Sequence, residues 1–299
     1  MSTSDKKFKV FVSYHKPATL MELPFVINMH SGRDCSGLAS KDGVLSPKDS
    51  SWLLEHTTGD NTGDNISNLN RNFCELTSLY WIWKNFDLSN IDYIGFVQYR
   101  RQFIFDEAEF DQSRNGFEEE SFSIKRYPYI NRGYLKKIGF DKPHIEKIIE
   151  NYEAVFPYPG NLARAGMSSI WQDYAMNIPG MHIDDLNVLT EVYKEKYPEY
   201  YEAFLNYLSS HEKYMYLMFF MKTELFLNYC DYLFDILFEV HRRIDVSLYT
   251  PNGKRTIGFL GEFVYGFFIK YILKDFRVKN FGVSLVENVL SGYKKRYFR

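Results

Sequence analysis

The sequence predicts an α/β fold, a mixed and mostly parallel sheet flanked by helices, over 299 residues. Three observations predict it. The run Tyr93-Ile94-Gly95-Phe96-Val97 is apolar throughout and strand-length, the pattern of a strand buried on both faces of a parallel sheet. Strand-like and helix-like segments alternate along the chain, which is the signature of βαβ units with right-handed crossovers. The length suits one large α/β domain or two smaller ones, with a substantial core in either case.

Taken in order, "KVFVSYH" at residues 9 to 15 predicts the first strand, leaving Tyr14, His15 and Lys16 at its exit before Pro17. "FVINMH" predicts a second, and the Gly/Ser/Asp-rich stretch from Ser31 to Ser51 has no period and reads as loop. Polar Gly-Asp-Asn turns then feed a helix starting near Asn72 to Glu75, with Leu76, Leu79, Tyr80, Ile82 and Trp83 at helical spacing. After the buried strand and its Gln98-Tyr99-Arg100-Arg101 exit, residues 106 to 135 are charged and irregular, a flexible lid or an acceptor loop. A helix is predicted from about Lys142, then a short strand in "EAVFPYP" ended by its prolines. Two helices follow, over Asp184 to Tyr197 with Asp184 as cap and over Pro198 to Leu208. "KYMYLMFFM" predicts a strand, "KTELFLNYCDYLFDILFEVHRRI" an amphipathic helix, and "RTIGFLGEFVYGFFIKYIL" a mostly apolar helix with Glu262 in its first turns.

Composition narrows the function classes. Thirty-six Lys+Arg against 38 Asp+Glu leave a net charge of -2, so no global field favours nucleic acid and an anion site must be local. Aromatic residues make up 18% of the chain, which supplies core mass and stacking faces for sugars. The cysteines Cys35, Cys74 and Cys230 form no C-x-x-C, so neither a disulfide framework nor a zinc site is indicated and a reducing, cytoplasmic compartment is expected. The amino terminus has no apolar h-region, and the most apolar later stretch is interrupted by Lys222, Glu224, Asp231 and Asp235, unlike a membrane span.

Several residues are candidates for chemistry. Arg100 and Arg101 beside Tyr99 at a strand exit suit an anion such as phosphate, because a guanidinium presents a planar fork of donors; a solvated strand end is the plain alternative. "GDNTGDNIS" places Asp60, Asn61, Asp64 and Asn65 on adjacent turns, either to hydrogen-bond a ribose, base edge or sugar or simply to build turns. Glu262 is a carboxylate in an apolar stretch, either buried with a raised pKa suited to general-base work or facing solvent. His182 and Asp185 either orient a substrate hydroxyl or cap a helix. A nucleophile elbow, a P-loop and a Rossmann glycine fingerprint are all absent.

The ordered set "FVSYHK", "GDNTGDNIS", "FCELTSLYWIWKN", "DYIGFVQYRR", "DDLNVL", "MFFMKTELFLNYCDYLFDILFEV" and "GFLGE" resembles the bacterial family catalogued as domain of unknown function 4422. The resemblance runs from about Lys9 to Leu273. Members are assigned to GT-A-type glycosyltransferases of capsule and lipopolysaccharide gene clusters, some of them galactofuranosyltransferases.

The resemblance implies one GT-A-like, Rossmann-like domain over residues 1 to 299 with a basic, aromatic tail from 286 to 299. Tyr14, His15, Lys16 and the Gly-Asp-Asn loop would hold the nucleotide of a sugar nucleotide, a UDP-sugar with UDP-galactofuranose among the candidates. A D-x-D motif for a divalent metal (Mn or Mg) usually ends the strand matching "YIGFV", and here Gln98 to Arg101 stand in its place, so the arginines would take over diphosphate binding. Glu262 falls where inverting enzymes of this fold carry the base. The acceptor would be a glycan or lipid-linked glycan. From the residues themselves, His182 and Asp185 are the candidates for binding it, and the basic, aromatic tail either touches the anionic inner membrane or is simply solvated. The family often shows Asn-Met-Phe where this chain has Leu217-Met218-Phe219, and Ser-Glu-Arg where it has Gly261-Glu262-Phe263. The expected activity is therefore inverting glycosyl transfer; the alternative is a non-catalytic carbohydrate- or nucleotide-sugar-binding protein on the same fold.

Overall fold

A computed structural model describes residues 6–110 and 123–289. Its main sheet contains β1 (Phe8–Tyr14), β2 (Val26–His30), β3 (Thr58–Gly59), β4 (Tyr93–Gln98), β5 (Arg101–Ile104), β6 (Ile124–Tyr127) and β7 (Ala154–Pro157). The pair β8 (Gly160–Asn161) and β9 (Glu212–Lys213) forms a separate ribbon, and β10 (Phe219–Lys222) and β11 (Val278–Val286) complete the main sheet. The helices are α1 (Pro47–His56), α2 (Asn70–Phe73), α3 (Leu76–Asn85), α4 (Arg132–Lys137), α5 (Lys142–Asn151), α6 (Ile170–Met176), α7 (Ile183–Lys196), α8 (Tyr201–Leu208), α9 (Thr223–Arg243) and α10 (Thr256–Phe267).

The strands β3, β2, β1 and β4 are parallel in that order, as the βαβ reading expects. Beyond β4 the sheet is mixed, with antiparallel pairings among the parallel ones. Strand β10 runs antiparallel to both β4 and β7, and β11 is antiparallel to β5 but parallel to β7 and β6. The cause is a connection too short to cross over: only Tyr99 and Arg100 separate β4 from β5, and a parallel neighbour needs a dozen residues or more. As a result β4, β10, β7, β11 and β5 pair in a closed circuit.

Alternate side chains divide between two cores. Phe11, Ile94 and Phe96 join α3, α7, α9 and α10 on one face, while Val10, Val12, Tyr93 and Val97 join α1 and α5 on the other. This two-sided burial is why both β1 and β4 read as apolar runs rather than alternations. Gly95 is in register with Phe220 of β10, and a Cβ there would stand 2.8 Å from the Phe220 ring, so the close approach of β4 to β10 requires glycine.

Three local readings change. The 31-to-51 stretch is not all loop, because α1 begins at Pro47 with the Ser46 side chain accepting the Asp49 N–H at 3.1 Å; the signal was Ser-Pro-x-Asp, a cap followed by proline at the first helical position. The strand expected over "KYMYLMFFM" is confined to Phe219–Lys222, since Tyr216 and Leu217 have φ of 76° and 48° and turn the chain out of the extended region. Helix α7 starts one residue earlier than expected, with His182 rather than Asp184 at the cap position. Strand β11 had no apolar run to announce it, and Val286, where the tail was expected to begin, is its last residue. The irregular 106-to-135 stretch contains β6 and the start of α4, and its residues 111–122, like tail residues 290–299, lie outside the described residues.

Gly95→Ala is expected to destabilise the protein by about 1–3 kcal/mol through overpacking against Phe220. A lowered urea midpoint with an unchanged slope is the measurement that checks it.

Candidate functional site

The chain runs β1, β2, β3 outward and then returns to the other side of β1 with β4, so the strand order reverses at β1. Open α/β sheets bind ligands beyond the carboxyl ends of their strands at such a reversal. A cavity of about 890 Å³ lies there. Its walls include Ser13 and His15 after β1, His30 and Ser31 after β2, and Gln98 to Arg101 after β4.

One wall is cationic. Lys16, Lys41, Arg71 and Arg100 line it, and Arg100 is exposed at the tip of the β4–β5 turn. That turn is pinned on both sides: Tyr99 donates its N–H to Ser13 O at 3.0 Å, and Arg100 O accepts from Val286 N at 2.8 Å. Tyr99 packs inward against Tyr14 and His15, with ring centroids 5.7 Å and 5.2 Å away. The turn Ser40 to Gly43 forms part of the rim, where Asp42 lies 2.9 Å from Lys41 and 3.7 Å from His15. Its carboxyl is held well below the usual range, chiefly by His15 and then by Lys41. His30 is pushed down to about 3, first by burial and then by Arg33 and His15, so its ring is neutral at ordinary pH.

The cavity is also lined by carboxylates, Glu75 and Glu262. Glu262, on α10, is half-buried and accepts the Tyr216 N–H at 3.1 Å. Burial raises its pKa above the ordinary value of 4.5, Glu75 adds to the rise, and Lys213, the Tyr216 N–H and Arg101 oppose it. Glu75 sits at the junction of α2 and α3, where Cys74 has a φ of 52° and separates the two helices. Burial pushes the Cys74 thiol up to about 11. Lys213 is almost fully enclosed, paired with Asp173 at 2.8 Å and lying over the Phe263 ring at 5.2 Å. Arg255 stacks on Phe259 at 4.9 Å and donates to Asn252 Oδ1 at 3.1 Å.

The structure therefore brings His15, Lys16, Tyr99, Arg100, Arg101 and Glu262 around one cavity. It uses the other expected residues elsewhere. Tyr14 is buried and donates its hydroxyl to Thr19 O. Asp60 is wholly buried and accepts from Gly32 N, Arg33 N, Ser67 Oγ and Thr77 Oγ1 at 2.6–3.0 Å. This fixes the turn after β2, where Gly32 takes a φ of 72°. Asn61 donates to Asp34, Asp64 accepts from the Tyr80 hydroxyl, and Asn65 braces Gly63 O and Ser67 N, so the Gly-Asp-Asn segment builds turns behind the cavity. Asp185 is buried and accepts from Tyr249 and Thr256 at the start of α10, and His182 stacks on Tyr249 with centroids 4.2 Å apart. Neither lines the cavity.

Glu75, Lys213, Tyr216 and Arg255 were not anticipated, and the sequence places Gln98 only where the D-x-D motif would stand, with no role of its own. A single polar residue in an apolar context, Gln98 after "YIGFV", was the available signal; the others come together only through folding. Among the described residues no three His, Cys, Asp or Glu side chains are grouped to hold a metal ion. None of their helices is long and apolar enough to cross a membrane, and Cys35, Cys74 and Cys230 are free thiols.

Residues 9–273 match the family model described as Domain of unknown function (DUF4422). The chain belongs to this family. Among solved structures, this DUF4422 chain is similar to the apo structure of the WbbM bifunctional glycosyltransferase, with a TM-score of 0.80 and 29% identity. The likeness covers 95% of this chain and 46% of that one, so the chain spans about half the length of WbbM. No curated protein matches it. Of the positions where the family often differs, Leu217 occupies the left-handed region that Asn tolerates better, and Phe263 is buried beneath Lys213.

Asp60→Ala is expected to cost on the order of 3 kcal/mol or more, because it strands four donors in the interior; chemical denaturation reads this out. Glu262 has a raised folded pKa, so the stability it contributes is complete below the ordinary value of 4.5 and is lost as pH rises through the folded value. Glu262→Gln should thus be more stable than the parent at neutral pH, with the difference shrinking as pH falls through the folded value towards the ordinary value of 4.5. Thermal melts across pH 3.5 to 8 check the sign.

Proposed function

We propose that this DUF4422 protein is a GT-A-like glycosyltransferase. It moves a sugar from a nucleotide donor, a UDP-sugar such as UDP-galactofuranose, to a hydroxyl of a glycan or lipid-linked glycan acceptor in surface-polysaccharide synthesis. The observation that carries this reading is that one cavity at the β1 reversal is lined both by cations, Lys16, Lys41 and Arg100 among them, and by a half-buried carboxylate of raised pKa. The similarity to a glycosyltransferase over 95% of the chain supports it, as does the parallel order β3–β2–β1–β4 followed by antiparallel β10.

In this reading the donor diphosphate lies against Arg100, Lys16 and Lys41, and the nucleoside extends towards the turn after β2. Tyr216 occupies Glu262 Oε1, leaving Oε2 to take the proton of the acceptor hydroxyl. The acceptor oxygen attacks the anomeric carbon in line, the bond from that carbon to the diphosphate oxygen breaks with inversion, and the charge left on phosphate faces Arg100. Arg101 adds its field from behind the turn. The cavity walls present no metal-ligand set among the described residues, and no step is assigned to a metal.

A panel of nucleotide sugars scored by thermal shift, with and without EDTA, should give a selective shift for one donor. Arg100→Ala is expected to weaken that donor by roughly 1.5–3 kcal/mol, as for a lost charge-assisted hydrogen bond. Glu262→Gln should abolish transfer with donor affinity nearly intact. Donor binding by the parent protein with neither transfer nor donor hydrolysis would replace this reading with that of a non-catalytic nucleotide-sugar-binding protein.

A further inference from the structure

The side chain standing at the strand end where a metal-binding acid would be expected is spent on other side chains. Gln98 Nε2 donates to Glu75 Oε1 at 2.8 Å and to Tyr216 O at 2.9 Å, and Gln98 Oε1 accepts from Arg101 Nη1 at 2.7 Å. Both amide hydrogens are thereby used. The Arg101 guanidinium lies over the Tyr216 ring at 4.6 Å, and its Nε is buried with no hydrogen-bond partner.

Tyr216 is also the residue that touches Glu262, through its N–H. Its backbone and that of Leu217 hold φ values of 76° and 48°, a region costly for residues with such side chains. A strained pair of peptides persists only when its surroundings hold it, and here Gln98 grips the Tyr216 carbonyl while Glu262 grips its N–H.

We infer that Gln98 is a positioning residue for Glu262, acting through the strained Tyr216 backbone and the guanidinium of Arg101. The inference rests on the reading of Glu262 as the base, but its physical content does not. Without the Gln98 amide, Tyr216 O and Arg101 Nη1 lose these bonds, the Tyr216 peptide relaxes, and its N–H leaves the carboxylate. Other groups also face Glu262: Lys213 from β9, Glu75 and Cys74 from the α2–α3 junction, Arg255 before α10, and Tyr207, Tyr229 and Tyr265 from α8, α9 and α10. Burial dominates among these influences, and the Tyr216 N–H and Arg101 both act against it. With the Tyr216 N–H withdrawn and Arg101 no longer held by Gln98, the opposition to burial weakens and Glu262 keeps its proton to higher pH.

The test is a ¹³C-carboxyl NMR titration of the full chain, with the Glu262 signal assigned by its absence in Glu262→Gln. Gln98→Leu should move the Glu262 titration upward by roughly half a pH unit or more. Turnover with the donor found in the panel should fall about tenfold or more, and donor affinity should stay within about twofold. A folded Gln98→Leu protein whose Glu262 titrates as in the parent would overturn the inference and leave Gln98 a merely structural residue. Should that variant fail to fold, Arg101→Met carries the test: it removes the cation that Gln98 holds, and an unmoved Glu262 titration would again overturn the proposal. If Glu262→Gln keeps its turnover while Gln98→Leu still moves the carboxyl, the base assignment fails and the hold of Gln98 on Glu262 stands.

Discussion

The site depends on one tight reversal. Between Gln98 and Arg101 the chain turns back on itself within two residues, tied to β1 by the Tyr99 N–H and to β11 by the Arg100 carbonyl. The turn sorts three consecutive side chains by environment. Tyr99 is buried against Tyr14 and His15, Arg100 is exposed at the cavity, and Arg101 is folded under, over the Tyr216 ring and onto Gln98. Two arginines that look equivalent in sequence therefore have different work, one free to meet an anion and one committed to internal polar structure. The same brevity of connection makes β5 antiparallel and starts the closure of the strands beyond β4.

Charge in the cavity is arranged by neighbours more than by count. The chain as a whole is nearly neutral, so attraction of an anion into the cavity rests on local cations, Lys16, Lys41 and Arg100 among them. In the same cavity, burial disfavours the ionised form of Glu262, and the Tyr216 N–H, Lys213 and Arg101 limit how far the pKa rises. Such a carboxylate lowers stability at neutral pH, because its raised pKa favours the protonated form in the folded state. Two of the positive-φ residues, Cys74 and Tyr216, line the same cavity, where strain is held by surrounding contacts.

The Gly-Asp-Asn segment shows where reading by residue type misleads. Asp60 has the right chemistry for a ribose, yet it faces inward and accepts four hydrogen bonds that fix the turn after β2. Its contribution to the cavity is indirect, through the placement of His30, Ser31 and Gly32. Asp185 behaves likewise, anchoring the start of α10 through Thr256 and so setting where Glu262 points. Turn and cap residues carry the same side chains as ligand-binding residues, and local sequence does not say which way they face.

What the sequence by itself determined is the set of features written in local periodicity and chain length: the doubly buried β1 and β4, the amphipathic α9, and the cationic exit of β4. Family membership was also legible, because the ordered blocks span most of the chain. Tertiary structure alone decided the rest. Strand β11 is central although its sequence includes Lys279, Asn280 and Gly282, because its burial comes from β5, β6 and β7 rather than from an apolar run of its own. Glu75, Gln98, Tyr216 and Glu262 are separated by 23 to 118 positions where they are hydrogen-bonded, and meet only when α3, β4 and α10 pack together. Periodicity reports which face of an element is buried; which faces meet is settled by long-range packing, and the chemistry of the site resides there.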